Sequence, residues 1–161
     1  MEWFDNQIPT YLVPIIDWLR QPGYLPLFAL SFLAATLLPI GSEWLLALML
    51  TQKYQPVTVV LVAGVGNTLG AVTTYLVGRY GSGPVLRMFR IDERQQARAE
   101  AWYRRYGSVS LLASWLPVVG DPLCLVGGIL RVNALHFTVL VAIGKLARYA
   151  AVAWLTLRVT G

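Results

Sequence analysis

Four ionisable residues, Glu43, Asp121, Lys145 and Arg148, stand inside stretches that are otherwise almost free of charge. A charge at the centre of a bilayer costs roughly 2.5–3.5 kcal/mol on insertion scales, so each needs a partner, neutrality or a wet cavity. Glu43 and Asp121 each lie four residues after a proline, Pro39 and Pro117, and beside Gly41-Ser42 or Gly120. A helix that restarts there leaves its N-terminal amides unpaired, and those amides with the helix dipole favour an anion, typically phosphate. Lys145 and Arg148 are three apart and share one helix face, so they can serve the same anion or neutralise the two acids. An ionised acid would repel the anion; burial opposes that ionisation and a neighbouring cation favours it. Protonation of Glu43 or Asp121 would then admit a phosphate to the basic pair, coupling proton and anion movement. The alternative is a charge cluster that only ties helices together, although an apolar core does that more cheaply.

Other polar residues have plainer expectations. Asn67 either hydrogen-bonds across helices or faces the cavity, and Gly66 and Gly144 are small residues that let helices approach. Arg79 and Arg131 are expected to snorkel at membrane boundaries. His136 reads as an interfacial side chain and Cys124 as a small apolar one, since a lone cysteine excludes a disulfide framework. There is no serine–histidine–acid set, phosphate loop or metal-ligand cluster. An enzyme is therefore not expected, nor a cofactor.

Composition sets the medium. The chain has 161 residues, 57% of them hydrophobic and 13% charged, against about 25% charged in a soluble domain. Such a chain reads as one integral membrane domain spanning residues 1–161. The net charge of +5 does not point to nucleic acid, because seven of the thirteen basic residues lie in the stretch 79–105. Basic residues clustered between hydrophobic segments mark a cytoplasmic loop. Glu2 and Asp5 stand where a signal peptide needs a basic region, so cleavage there is not expected.

The elements follow from charge-free runs and their breakers. Residues 1–20 carry an apolar face at Ile8, Leu12, Ile15, Ile16 and Leu19, which suits either an interfacial helix or a cap packed on the rest. From Gln21 to Gln52 the only charge is Glu43. Pro39 and Gly41 split that run into arms shorter than the ~20 residues a crossing needs, which predicts a re-entrant hairpin unless the first arm extends back past Gly23. Tyr54–Gly78 is long enough to cross. Residues 92–106 predict a surface helix capped by Asp92, with Trp102, Tyr103 and Tyr106 at the lipid boundary. Tyr106–Leu130 repeats the broken design, and His136–Arg158 is again long enough to cross.

Residue n laid on residue n+78 matches the two halves without a gap, and the repeats are bounded at 22–78 and 106–158. Pro39 falls on Pro117 and Glu43 on Asp121; Leu33, Ala35 and Leu38 meet identical residues, and Asn67 meets Lys145. A hairpin plus one crossing per half sends the second half in from the opposite side. The expected architecture is therefore all-α with an inverted repeat, its site near the bilayer midplane where the breaks meet.

Leu38-Pro39-Ile40-Gly41-Ser42-Glu43, the Gly64–Gly70 run and Ser114-Trp115-Leu116-Pro117-Val118-Val119-Gly120-Asp121 resemble the DedA family, also called the SNARE-associated or VTT domain group. Gly144-Lys145 with Arg148-Tyr149 is similar to its short YqaA-type branch. The resemblance implies two facing re-entrant hairpins in a bacterial inner membrane. It also implies proton-dependent translocation of undecaprenyl phosphate or phospholipid, with scrambling in eukaryotic relatives. Glu43 matches the acid of the family's first hairpin. The second hairpin departs from the pattern: Ser114 and Gly120 occupy places where the family usually has arginines. If those arginines hold the lipid phosphate, Lys145, Arg148 or Arg131 must do so here.

The function expected is flippase- or scramblase-like movement of a phosphate-bearing lipid, with membrane lipids, protons and a second copy of the chain as partners. A proton-coupled carrier of a small solute and a non-transporting scaffold are the rivals. Placing the Arg-rich loop in the cytoplasm puts both termini outside if the first segment is re-entrant, and the N-terminus inside if it spans.

Overall fold

A computed structural model describes Pro14 and residues 21–36, 41–81, 93–116 and 119–160. The expected helix within 1–20, the breakers Pro39 and Pro117, and the Asp92 cap lie outside the described residues. The described chain is all-helical: α1 (Tyr24–Ala34), α2 (Glu43–Thr51), α3 (Pro56–Tyr80), α4 (Glu93–Tyr106), a 3-10 segment η1 (Gly107–Trp115), α5 (Gly120–Ile129) and α6 (Ala134–Thr160).

Two of these are long and apolar enough to cross a membrane, α3 with 25 residues and α6 with 27. At 1.5 Å per residue they run about 37 and 40 Å, past the ~30 Å of a hydrocarbon core. The short helices α1, α2 and α5 have 11, 9 and 10 residues and cannot reach across. Pro56 opens α3 at a position that needs no amide partner. Asn133 caps α6, its Oδ1 accepting the amides of Leu135 and His136 at 3.0 and 3.1 Å.

The sequence offset reappears in the elements. Shifted by 78 places, α2 and α3 fall on 121–129 and 134–158, within two residues of α5 and α6 at every end. The turns leading into the long helices match bond for bond. Gln52, Lys53 and Tyr54 donate to Leu48, Leu50 and Met49, while Leu130, Arg131 and Val132 donate to Val126, Gly128 and Gly127. Both are helix ends closed by a residue in the left-handed region, Lys53 at φ 63° and Arg131 at φ 55°. Among the described residues no other non-glycine has positive φ.

Packing is reciprocal. Helix α5 packs on α3 and α2 on α6, so each short helix leans on the long helix of the other half; α1 lies on α3 as η1 lies on α6. The α3–α5 crossing is backbone to backbone: a Cβ on Gly128 would lie 2.0 Å from the Tyr75 carbonyl oxygen, and one on Gly78 2.1 Å from that of Leu125. Small residues set this approach, as in membrane helix pairs generally.

The segment before α5 is a 3-10 helix, entered through Gly107 at φ +61°. One expectation changes. Tyr103 does not sit at the lipid boundary: it is buried, and its phenol donates to the Leu123 carbonyl at 3.1 Å. Burial pushes that phenol well above its ordinary value, so it stays a neutral donor.

Candidate functional site

Helix α6 carries three polar residues on one stripe, Lys145, Arg148 and Tyr149, spaced three and four apart, with Lys145 and Tyr149 buried and Arg148 at the edge. Lys145 is 4% exposed and its ammonium donates to the Asn67 side-chain oxygen on α3. The Asn67 amide in turn donates to the Tyr149 phenol oxygen at 2.8 Å. Tyr149 also bonds Ser42 at 2.6 Å, and Ser31 donates to Ser42 at 3.0 Å. A continuous buried hydrogen-bonded chain therefore runs from α1 through the start of α2 and α6 to α3. Networks of this kind fix geometry because each member left unpaired is costly.

Arg148 points to the other side of this stripe. One arm of its guanidinium pairs with Glu43, the first residue of α2, and the other donates to the Trp115 carbonyl at 3.1 Å at the end of η1. One side chain thus joins the two broken segments. The pair is about a quarter exposed, 28% for Arg148 and 24% for Glu43.

The four charges therefore do not form one cluster. Glu43 pairs with Arg148, Lys145 with a neutral amide, and Asp121, at the first turn of α5, has no hydrogen-bond or ion-pair partner among the described residues. It lies within electrostatic reach of Lys145 and Arg148. Gly41 is half-buried before α2. The Gly120 amide is not open to an anion, because it already bonds the Leu116 carbonyl at 2.9 Å. Gly66 and Gly144 each meet a backbone: their Cβ atoms would stand 2.6 Å from the carbonyl oxygens of Phe28 and Leu112. Arg131 is elsewhere, with Arg79 at the far end of α3.

Ser114 stands where the resemblance leads one to expect an arginine, and its Oγ is buried with no hydrogen-bond partner. It lies 3.5 Å from where a Gly144 Cβ would stand, beside Gly120. The positive charge near this point comes instead from α6, through Arg148 on the adjoining Trp115. Ser31 and Tyr149 were not singled out from the sequence as site residues. The Tyr149 signal was its spacing from Lys145, four residues along an otherwise apolar face. No group of residues that could hold a metal occurs among those described.

These features define a helical membrane protein whose polar groups are gathered where broken helices meet two long ones. The VTT domain model matches residues 38–156, and the chain belongs to that family, the DedA family. It is 44% identical over 133 residues to inner membrane protein YqaA of Escherichia coli K12, covering 82% of this chain and 89% of that protein. It is 35% identical to an uncharacterized protein of Haemophilus influenzae, over 81% and 85% of the two chains. Undecaprenyl phosphate transporter A of Bacillus subtilis is 30% identical over 78% of this chain and 66% of its own. No solved structure matches.

Proposed function

We propose that this protein moves a phosphate-bearing lipid, such as undecaprenyl phosphate or a phospholipid, between the leaflets of a bacterial inner membrane. The observation that carries the proposal is Arg148, which joins Glu43 on one broken segment to Trp115 on the other. In this reading η1–α5 and α1–α2 are re-entrant hairpins entering from opposite faces, and the two halves are an inverted repeat. The reciprocal packing and the recurrence of both turns support it. So does the similarity to the Bacillus relative, an undecaprenyl phosphate transporter by name.

The chemistry is competition for one guanidinium. A carboxylate and a phosphate both offer oxygens to the fork of Arg148. When Glu43 takes up a proton it ceases to be an anionic partner, and Arg148 is released to a lipid phosphate. Loss of that proton restores the pair and expels the lipid. Asp121, near Lys145 and without a bonded partner, is the second proton-carrying group, so that each half contributes one acid.

The test is leaflet exchange in proteoliposomes of the purified protein, with labelled polyprenyl phosphate and labelled phospholipid at two pH values. Fast exchange of one lipid, lost in Glu43→Gln, is the expected outcome. Exchange no faster than in protein-free vesicles for both lipids would overturn it and favour a small-solute carrier or a scaffold.

A further inference from the structure

A second polar site lies away from the broken segments, at the end of α3 that leads into the Arg-rich stretch. A cavity of about 430 Å³ is lined there by Tyr75, Arg79, Tyr80, Arg131 and Asn133 with two apolar neighbours. Two guanidiniums face it, and no carboxylate lines it among the described residues. Like charges brought together without a counter-charge call for an anion from outside.

Neither arginine is loosely placed. Arg79 donates from Nη1 to the Tyr75 phenol at 2.5 Å and to the Val132 carbonyl at 3.4 Å, and lies 5.9 and 5.6 Å from the ring centres of Tyr75 and Tyr80. A guanidinium has five N–H donors, so these bonds leave donors over for an anion. Tyr75 itself is buried and bonded to the Val132 carbonyl, which ties the α5–α6 turn to α3. Arg131 is held in that turn with left-handed backbone, where its side chain forms no hydrogen bond or ion pair among the described residues. Asn133 uses its Oδ1 to cap α6, leaving its NH2 as a donor beside the positive end of a 27-residue helix.

We propose that Arg79, Arg131 and the Asn133 amide form a binding site for a phosphate group, carried by an anionic lipid headgroup or free in solution. The position favours a headgroup: Arg79 and Tyr80 close the last turn of a helix long enough to cross, at the level where headgroups lie. The matching position in the other half does not carry the same pair of arginines. Lys53 matches Arg131, but Leu157 stands at the place of Arg79. This binding does not depend on lipid translocation and is tested without it.

The repeat supplies its own control. A left-handed helix end prefers glycine, so Arg131→Gly removes the cation while keeping the turn, and Lys53→Gly makes the same change where no site is proposed. Native mass spectrometry of the full chain in detergent would compare phosphatidylglycerol with phosphatidylcholine, with inorganic phosphate as a separate ligand and as competitor. The expected result is preference for phosphatidylglycerol, weakened ~5-fold in Arg131→Gly and unchanged in Lys53→Gly. Binding of inorganic phosphate alone, lost in Arg131→Gly with no preference between lipids, would assign the site to the free anion. Equal behaviour of the two variants, or no preference for either phosphate source in the parent protein, overturns the proposal.

Discussion

Asn67 and Lys145 are hydrogen-bonded to each other and occupy the same position in the two halves of the chain, 78 residues apart. The pair is a direct buried contact between the long helices α3 and α6, while Gly66 and Gly144 beside it seat α1 on α3 and η1 on α6. The two matched positions differ at the point where they touch. An amide faces an ammonium, and the pair avoids the repulsion two lysines would impose.

That placement predicts the outcome of exchanging the partners. Asn67→Leu leaves the buried ammonium without its acceptor and should destabilise by about 1–3 kcal/mol. Asn67→Lys should cost at least as much, by setting like charges together. The double variant Asn67→Lys with Lys145→Asn restores a donor and an acceptor, and should recover most of the loss. Thermal unfolding in detergent measures all three, and a double variant no better than Asn67→Lys would mean that the two positions are not interchangeable.

The parts of the fold that were legible in the sequence are those set by local rules. The runs 54–78 and 136–158 gave the long helices to within two residues at each end, because absence of charge and a proline at Pro56 act along the chain itself. The register that set Asn67 opposite Lys145 was legible as well. Other features depend on distant neighbours. That Arg148 could neutralise one of the acids was legible, but nothing near it indicates that its second arm reaches Trp115, and nothing near Tyr103 indicates an inward carbonyl at Leu123. Tyr149 was part of the motif Arg148-Tyr149 in the sequence, but that Ser42 and Asn67 meet at its oxygen depends on two other helices.

The α3–α5 crossing gives a steric prediction. A methyl group on Gly128 would fall on the Tyr75 carbonyl, a rigid helix backbone that cannot rotate away. Gly128→Ala should therefore destabilise by about 1–3 kcal/mol through overpacking. The same change at Gly107, where nothing lies within 4 Å, brings only the left-handed backbone penalty of about 1–2 kcal/mol. Distance-dependent labelling across α3 and α5 should report a wider separation in Gly128→Ala and none in Gly107→Ala.

The matched turns give a prediction of the opposite sign. Lys53 and Arg131 both hold left-handed backbone that glycine adopts without strain. Each should gain up to about 1 kcal/mol on replacement by glycine, and because the turns belong to different halves the gains should add in the double variant. Unfolding midpoints of the two single variants and the double variant check this directly. A gain at one turn and a loss at the other would mean that the two bond patterns hide different side-chain roles.

The last prediction separates transport from mere support at Arg148. A partly exposed ion pair contributes little to stability, so Arg148→Gln and Glu43→Gln should each change it by no more than about 1 kcal/mol. Their effect on lipid exchange should be far larger. A phosphate that loses a charge-assisted bond to the guanidinium loses about 1.5–3 kcal/mol, a fall of roughly tenfold or more in rate if that bond forms on the path between leaflets. Any exchange that survives in Glu43→Gln should no longer depend on pH, because the competitor it removes is the one that takes up the proton. Arg148→Lys keeps the charge but not the fork that spans Glu43 and Trp115, and should recover only part of the rate. Variants that fold normally and still exchange lipid at the parent rate would reduce Arg148 to a strut between the broken helices.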